Sequence, residues 1–127
     1  MVKRLLILDD DPDVLEVMQE IFLYEGFEVK AIESTTDIFN EITDYKPHII
    51  ILDYILKGIN GGEICHQIKT NHLTSAIPVV IVSAYTKVIN SLGHYGCDSF
   101  IPKPFDITDL VSRVKDLLGA AQNKNTY

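Results

Sequence analysis

Four short apolar stretches of the sequence each end on residues whose side chains can take part in chemistry. These residues are Asp9 and Asp10, Asp53, Ser83 and Lys103. If the stretches are parallel strands of one sheet, their carboxyl ends meet at one edge and the side chains converge there. Three carboxylates would repel one another without a cation, and oxygen ligands of this kind are those that Mg²⁺ prefers. The pattern therefore predicts a divalent-cation site suited to phosphoryl transfer.

Asp53 stands alone at the end of its apolar stretch, as expected of a carboxylate nucleophile that forms an acyl phosphate. In that reaction the cation would neutralise one phosphoryl oxygen. Lys103 would place a positive charge beside a second oxygen, and Ser83 would donate a hydrogen bond to the third. Taken singly, each residue has an ordinary explanation in loop or turn chemistry. Their joint placement at the strand ends is what favours a functional site.

Apolar stretches of strand length alternate with segments of helical periodicity along the chain. Five strands and five helices in strict alternation predict an α/β fold with a parallel sheet, right-handed crossovers and helices on both faces. Asp11, followed by Pro12, is predicted to cap the first helix, and Ser34 to cap the second. The fourth helix is predicted at 86–95, weakened by its glycine, and Gly119 is expected to end the last helix.

The length and composition of the chain predict a single globular domain. It has 127 residues, enough to bury a core without disulfides, and a formal charge of −7 that argues against direct nucleic-acid binding. No apolar stretch approaches the about 18 to 20 residues that span a bilayer. The start of the chain does not resemble a secretion signal, so a cytoplasmic location is expected. Cys65 and Cys97 have neither a C-x-x-C nor a zinc spacing and are interpreted as idle thiols.

A calcium-binding loop is one alternative for the acidic segment after the first strand. Asp9, Asp11, Asp13 and Glu20 fall at four of the ligand positions of such a loop. The turn of that loop requires glycine at a position where this sequence has Val14, and the preceding element is a strand where a helix is needed. The calcium-loop interpretation is therefore excluded.

Four stretches of the sequence together resemble the receiver domain of two-component response regulators, which has the CheY-like, flavodoxin-like fold. They read L-L-I-L-D-D-D-P-D, I-I-I-L-D-Y-I-L-K-G-I-N-G, P-V-V-I-V-S-A and D-S-F-I-P-K-P-F. The resemblance covers Lys3 to about Leu118 and implies a doubly wound, five-stranded parallel sheet with strand order 2-1-3-4-5. Residues 1–127 would then form a single receiver domain, with a core at about 3–118 and a flexible tail at 119–127.

The resemblance also implies a phosphorelay function. Asp53 would accept a phosphoryl group from the phosphohistidine of a sensor histidine kinase or of a phosphotransfer protein. The protein would be no enzyme toward other molecules, since it would catalyse only its own phosphorylation and dephosphorylation. Ser83 and Lys103 would contact the phosphoryl group, and the Lys103–Pro104 peptide bond would be cis. The implied ligands of Mg²⁺, for which Mn²⁺ can substitute, are Asp9, Asp10, Asp53 and the main-chain carbonyl of Ile55.

Phosphorylation in this family implies a shift between two populations of the domain. Ser83 would move with the phosphoryl group, and Phe100, three residues before Lys103, falls at the family's aromatic switch position. The face formed by the fourth helix, the fifth strand and the fifth helix would then bind an unknown downstream protein. The same face would support a phosphorylation-dependent dimer.

The sequence departs from the family pattern in three places. Lys57 stands where the family often has proline, and the spacing from Ser83 to Lys103 is slightly short, which implies a truncated or displaced fourth helix. Ile55 and Tyr85 occupy the positions that tune dephosphorylation in the family. Neither side chain is a carboxylate or an amide that could orient an attacking water. A long-lived phosphoryl group is therefore expected.

Two other functions compete with the receiver interpretation, a metal-dependent phosphatase and a pseudo-receiver. A metal-dependent phosphatase of the haloacid-dehalogenase-like class would use Asp53 as its nucleophile, but such enzymes carry a second aspartate where this chain has Ile55. A pseudo-receiver would bind partners without phosphate. The presence of every chemical residue that phosphorylation needs argues against the pseudo-receiver.

Overall fold

The structure, a computed structural model, describes residues 2–56, 59–85 and 96–124. The strands β1 to β7 are Arg4–Leu8, Glu28–Ile32, Ile49–Asp53, Ile55–Leu56, Ile59–Asn60, Val79–Ser83 and Ser99–Pro102. The helices α1 to α4, counted over those three ranges, are Pro12–Tyr24, Ile38–Tyr45, Gly61–Thr70 and Ile107–Lys124. The helix predicted at 86–95 lies outside the described residues. None of the described helices combines the length and apolar character that crossing a bilayer requires.

The five long strands form one parallel sheet in the order β2-β1-β3-β6-β7. This is the order 2-1-3-4-5 when only the long strands are numbered, and the predicted fold class is confirmed. The order reverses direction at β1 and β3, since the chain first builds outward to β2 and then crosses β1 to continue on the other side. In such sheets the crevice at this reversal is where ligands bind. Asp9 directly follows β1, and Asp53 is the last residue of β3.

Two apolar layers cover the sheet, one on each face, because successive strand residues point to opposite sides. On one face, α2 and α3 pack through Ile38, Ile42, Ile64, Cys65 and Ile68 against Leu6, Leu8, Ile50, Leu52, Val79 and Ile81. On the other face, α1 and α4 pack through Leu15, Met18, Phe22, Leu110 and Val114 against Leu5, Ile7, Ile49, Ile51, Val80, Val82 and Ile101. Burial on both faces explains why these strands are continuous apolar runs.

Helix α1 begins as predicted from the sequence. The carboxylate of Asp11 accepts a hydrogen bond from the main-chain N–H of Asp13 at 2.9 Å, and Pro12 occupies the first turn. The helix ends at Tyr24, just before Gly26, whose φ of 91° lies in the left-handed region that glycine tolerates. This turn leads the chain into β2. The other end of α1, its amino end, follows closely after Asp9 and Asp10.

The predicted cap of the second helix is wrong. Helix α2 is capped by Asp37 and not by Ser34, since the Asp37 carboxylate accepts a hydrogen bond from the N–H of Phe39 at 2.9 Å. The hydroxyl of Thr35 accepts a bond from the N–H of Asp37 at 3.1 Å, which holds the preceding turn in place. Several residues here can cap a helix. The choice is decided by Ile38, which must enter the core at the first turn.

The prediction that the last helix ends at Gly119 is also wrong, because α4 continues to Lys124. A Cβ added at Gly119 would meet no atom within 4 Å, so this glycine occupies an open helical position and not a turn. Two alanines and a glutamine follow it, and these are favourable helix residues. One glycine costs a helix only about 1 kcal/mol, which is too little to end it here. The part of the predicted tail beyond Lys124 lies outside the described residues.

Candidate functional site

The carboxyl ends of β1, β3, β6 and β7 form one edge of the sheet, and the predicted site residues lie along it. Asp53 pairs with Val82, so Ser83 lies one residue further along the neighbouring strand. The main-chain N–H of Lys103 donates a hydrogen bond to the carbonyl oxygen of Ser83 at 2.7 Å, which ties the ends of β6 and β7 together. The Lys103–Pro104 peptide bond is cis, as predicted.

Asp9, Asp10 and Asp53 meet at this edge. Each contributes a carboxylate oxygen, and these three oxygens lie within 4.8 Å of one another. Asp9 is fully buried, and Asp53 is 8% exposed. Carboxylates this close repel one another, more so where water is partly excluded. The structure therefore brings the three predicted metal ligands together, while their binding of an ion stays a prediction.

Lys103 supplies the positive charge that this cluster contains. Its ammonium nitrogen Nζ lies 2.8 Å from Oδ2 of Asp9 and 3.5 Å from Oδ1 of Asp53. Burial of the lysine opposes its charged form, but the hydrogen bond to Asp9 and the charges of both carboxylates outweigh burial and raise the pKa of Lys103. The lysine is therefore charged, and in this structure it is closer to Asp9 than to Asp53.

The charges at the site do not balance. Burial and the neighbouring charge of Asp9 raise the pKa of Asp53 to about 6, against the opposing effect of Lys103. Among the residues that the structure describes, Lys103 is the cation paired with these carboxylates. One ammonium facing three carboxylates leaves an excess of negative charge. An oxygen-rich site with such an excess fits a Mg²⁺ ion, which takes carboxylate ligands together with water or phosphate.

Asp9 is held in place by the main chain on both sides. Its own N–H donates to the carbonyl oxygen of Ile32 on β2 at 3.2 Å. Its Oδ1 accepts a hydrogen bond from the N–H of Asp11 at 2.9 Å. Since Asp11 caps α1, the start of this helix and the first carboxylate of the site form one continuous turn. Of the three aspartates that follow β1, Asp11 caps the helix, and Asp9 and Asp10 belong to the carboxylate cluster.

Ser83 does not contact Asp53 or Lys103 through any hydrogen bond of its hydroxyl that the described residues show. The hydroxyl oxygen accepts a bond from the N–H of Tyr85 at 3.0 Å and lies 3.5 Å from the carbonyl oxygen of Tyr85. Ser83 is 2% exposed, whereas Tyr85 is 58% exposed. The predicted contact of Ser83 with a phosphoryl group would require the hydroxyl hydrogen to turn away from the carbonyl oxygen of Tyr85.

Two further predicted residues, Phe100 and Ile55, lie on the strands β7 and β4. Phe100 is half-buried on β7 and packs against the apolar layer that α2 and α3 form with the sheet. Ile55, just beyond Asp53, pairs through its main chain with Asn60 in the short antiparallel ladder of β4 and β5. This ladder was not predicted from the sequence. It fixes the main chain directly after Asp53, where the predicted carbonyl ligand belongs.

Sequence reasoning missed Gly61, which has a structural part in the site. A Cβ at this position would collide with the main-chain carbonyl oxygen of Asp53. The N–H of Gly61 also donates a hydrogen bond to the carbonyl oxygen of Tyr54 at 2.7 Å. Asn60 caps α3 by accepting a bond from the N–H of Gly62 at 2.7 Å. The run of asparagine and two glycines was a usable signal, since it combines a helix cap with positions that allow close backbone approach.

Comparison with known proteins supports one family. Residues 5–115 match the family described as the response regulator receiver domain. The phosphate regulon transcriptional regulatory protein PhoB of Pseudomonas aeruginosa is 33% identical over 118 residues, which cover 91% of this chain and 52% of PhoB. This chain spans about half the length of the curated relatives it matches.

Solved structures agree with this match. A response regulator receiver domain protein (CheY-like) from Methanospirillum hungatei has a TM-score of 0.88 at 25% identity, covering 98% of this chain and 99% of that one. The response regulator protein TrrA from Thermotoga maritima, solved in complex with Mg²⁺-BeF, has a TM-score of 0.82 at 26% identity, covering 91% and 99%. With the family match over most of its length and this fold, the chain belongs to the response regulator receiver domain family of two-component signalling.

Proposed function

We propose that this domain accepts a phosphoryl group on Asp53 from the phosphohistidine of a sensor histidine kinase or a phosphotransfer protein. The observation that carries the proposal is the meeting of three carboxylates and one ammonium at the sheet edge. The Mg²⁺-BeF complex of TrrA supports it, since that protein shares the fold at 26% identity. Asp9, Asp10, Asp53 and the main-chain carbonyl of Ile55 would hold Mg²⁺, and Mn²⁺ can substitute.

Asp53 is the nucleophile of this reaction. One of its carboxylate oxygens attacks the phosphorus while the bond from phosphorus to the donor's imidazole nitrogen breaks. The pair of electrons of that bond stays with the imidazole, and the product is an acyl phosphate. A pKa of about 6 leaves most of the Asp53 carboxylate ionised near neutral pH. The bound cation would neutralise charge on the phosphoryl oxygens.

Lys103 and Ser83 act on the same phosphoryl group. Lys103 already lies 3.5 Å from Asp53, so a small movement away from Asp9 would bring its ammonium to a phosphoryl oxygen. Ser83 would turn its hydroxyl hydrogen from the carbonyl oxygen of Tyr85 to another phosphoryl oxygen. Loss of this bond frees the loop after β6, and Phe100 repacks on the adjacent strand. The altered face then binds a downstream protein or a second copy of the domain.

The chain acts as a signalling module in the cytoplasm and not as an enzyme toward other molecules. The phosphatase alternative has no support, since the second aspartate of that class is replaced by Ile55. The DNA-binding role in the names of relatives such as MtrA belongs to proteins about twice as long. The net charge of −7 argues against direct DNA binding by this chain itself.

The proposal is tested by measuring intact mass after treatment with acetyl phosphate and Mg²⁺. The wild-type domain should gain the mass of one phosphoryl group, and an Asp53→Asn variant should gain none. Asp44→Asn, which removes an exposed carboxylate on α2, is the matched control and should be phosphorylated like the wild type. An unmodified wild type would favour the pseudo-receiver, and a modified Asp53→Asn variant would place the phosphate elsewhere.

A further inference from the structure

Two thiols meet on the α3 side of the sheet, away from the carboxylate cluster. Cys65 is fully buried on α3, and Cys97 is partly exposed in the segment that enters β7. Cys97 packs against the apolar layer that contains Cys65, and a hydrogen bond links the two side chains. The sequence-based interpretation of two idle thiols did not anticipate this contact, because the residues are far apart along the chain.

An ion pair beside the thiols holds the two segments together. Lys69, one turn after Cys65 on α3, lies 3.0 Å from the carboxylate of Asp98, the residue after Cys97. The same carboxylate accepts a hydrogen bond from the N–H of Val79 at 2.8 Å. Each thiol is thus next to one partner of a partly buried ion pair. These contacts hold the segment that carries Cys97 against the end of α3 and the start of β6, beside Cys65.

The two thiols differ in the way that thiol oxidation requires. The hydrogen bond from Cys65 lowers the pKa of Cys97, although burial acts in the opposite direction. The same bond, together with burial, raises the pKa of Cys65. The ammonium of Lys69 favours the thiolate form of both residues, and Asp98 disfavours it. Cys97 is thus the more accessible and the more readily ionised thiol, which is the pattern of an attacking cysteine with a resolving neighbour.

We propose that Cys65 and Cys97 form a reversible intramolecular disulfide when the domain meets hydrogen peroxide. The thiolate sulfur of Cys97 attacks one peroxide oxygen, the O–O bond breaks, and hydroxide leaves and takes up the proton that Cys97 lost. The sulfur of Cys65 then attacks the sulfur of the resulting sulfenic acid, and the S–O bond breaks. The leaving oxygen takes the proton of Cys65 and departs as water. The two sulfurs give up two electrons, and one peroxide becomes two waters.

The disulfide would tie α3 covalently to the start of β7. Helix α3 begins at Gly61 against Asp53, and β7 leads to Lys103. Oxidation would therefore restrain the two elements that border the phosphorylation site without modifying any residue of that site. Disulfides in reducing compartments are usually transient and redox-sensing, and a pair that forms and reopens fits that role. The disulfide does not depend on whether Asp53 is phosphorylated.

The test uses the reduced full chain treated with a small excess of hydrogen peroxide, then denatured and exposed to an alkylating reagent. We expect the intact mass to fall by two hydrogen atoms and no cysteine to be alkylated. A non-reducing tryptic digest should contain one peptide that joins 58–69 to 88–113, since trypsin does not cut before Pro104. Dithiothreitol should restore two alkylatable cysteines.

Controls separate this site from the proposed phosphorylation site. Cys97→Ala and Cys65→Ala should each lose the cross-linked peptide, and Asp53→Asn should form it to the same extent as the wild type. The proposal is overturned if the wild-type chain keeps two alkylatable cysteines, gains only oxygen atoms, or forms only disulfides between molecules. Each of these outcomes is read from the wild-type protein, so the result does not depend on whether a cysteine variant folds.

Discussion

Two lysine–aspartate contacts lie at opposite edges of the sheet and invite comparison. At the carboxyl edge, Lys103 lies 2.8 Å from Asp9, and at the amino edge, Lys69 lies 3.0 Å from Asp98. Both lysine side chains are largely buried, with exposed fractions of 18% and 15%. The two contacts are thus nearly identical in distance and in the burial of the lysine. They differ in the aspartate, since Asp9 is fully buried and the side chain of Asp98 is 28% exposed, and in their surroundings.

The surroundings decide what each contact does. At the amino edge the charges balance one to one, and main-chain groups complete the partners, since Lys69 donates to the carbonyl oxygen of Ile77 at 3.0 Å. At the carboxyl edge one lysine faces three carboxylates, and burial together with the charge of Asp9 raises the pKa of Asp53. A balanced ion pair fixes two segments of the fold. An unbalanced one leaves negative charge for a cation and a carboxylate ready to react.

The largest expected effect comes from the glycines beside these contacts. Gly61→Ala should lower the free energy of unfolding by about 3 kcal/mol, because its Cβ would collide with the carbonyl oxygen of Asp53. Gly96, beside Lys69, has a φ of 75° and space for a Cβ, with the nearest atom at 3.6 Å. Gly96→Ala should therefore cost only about 1 kcal/mol, from the left-handed backbone. Urea unfolding measures the free energy of unfolding of both variants. Equal losses of stability would contradict the expectation that the main chain is packed more tightly at Gly61 than at Gly96.

The lysines themselves give the next largest contrast. Lys103→Met should slow phosphorylation by acetyl phosphate about a hundredfold, because it removes the charge that stabilises the phosphoryl oxygens. Lys69→Met should lower stability, since it leaves Asp98 partly buried without its cation, but the rate of the folded variant should stay close to that of the wild type. Initial rates from intact mass at saturating Mg²⁺ measure the effect. A comparable slowing in both variants would show that the amino-edge pair also serves the reaction.

A pH series tests the raised pKa of Asp53. Its pKa is higher in the folded domain than in the unfolded chain, so its contribution to stability is fully present below the unfolded value and is lost as pH rises through about 6. Without metal, the wild type should therefore lose about 1 to 2 kcal/mol relative to Asp53→Asn between about pH 4 and pH 7. Unfolding in EDTA buffers measures this. A difference that is independent of pH would mean that burial and the charge of Asp9 do not raise the pKa of Asp53 in the folded domain.

The smallest expected effect concerns the lifetime of the phosphoryl group within the carboxyl edge. Neither Ile55 nor Tyr85 carries a carboxylate or an amide to orient an attacking water. The double variant Ile55→Asn, Tyr85→Glu should lose phosphate faster than the wild type by about tenfold, a difference of about 1.4 kcal/mol in the barrier. Phosphate release after removal of the donor measures the rates. A wild-type lifetime of seconds, or no difference between the two proteins, would show that the long-lived phosphate is not a property of these positions.

The sequence was most informative where one residue type has few structural uses. Aspartates after buried strands, and a proline after an aspartate, predicted the carboxylate cluster and the cap of α1, whereas the strand order came from the family resemblance. The cap of α2 was missed because four residues from Ser34 to Asp37 can all accept a helix N–H. Only the burial of Ile38 selects among them, and that depends on the packed core.

Contacts between distant segments could not be read from the chain. Cys65 and Cys97 have no motif spacing, and only the crossing of α3 over β6 toward β7 brings them together. The close approach of Gly61 to Asp53 also depends on the ladder of β4 and β5. The bond between Ser83 and Tyr85 is local, but a serine can bond to many neighbouring groups. Residue types therefore predicted the chemistry of the site, whereas the contacts that hold the site in place became visible only in the tertiary structure.

Both oxygens of the Asp9 carboxylate are already engaged, one by the N–H of Asp11 at 2.9 Å and the other by Lys103 at 2.8 Å. A cation that takes Asp9 as a ligand would share one of these two oxygens with its present partner. Like charge would repel the ammonium of Lys103 from the cation, and Asp53, 3.5 Å away, would be the carboxylate toward which the ammonium could turn. The amount of magnesium around the protein would then decide how often the lysine is poised for an arriving phosphate, before any donor protein has docked.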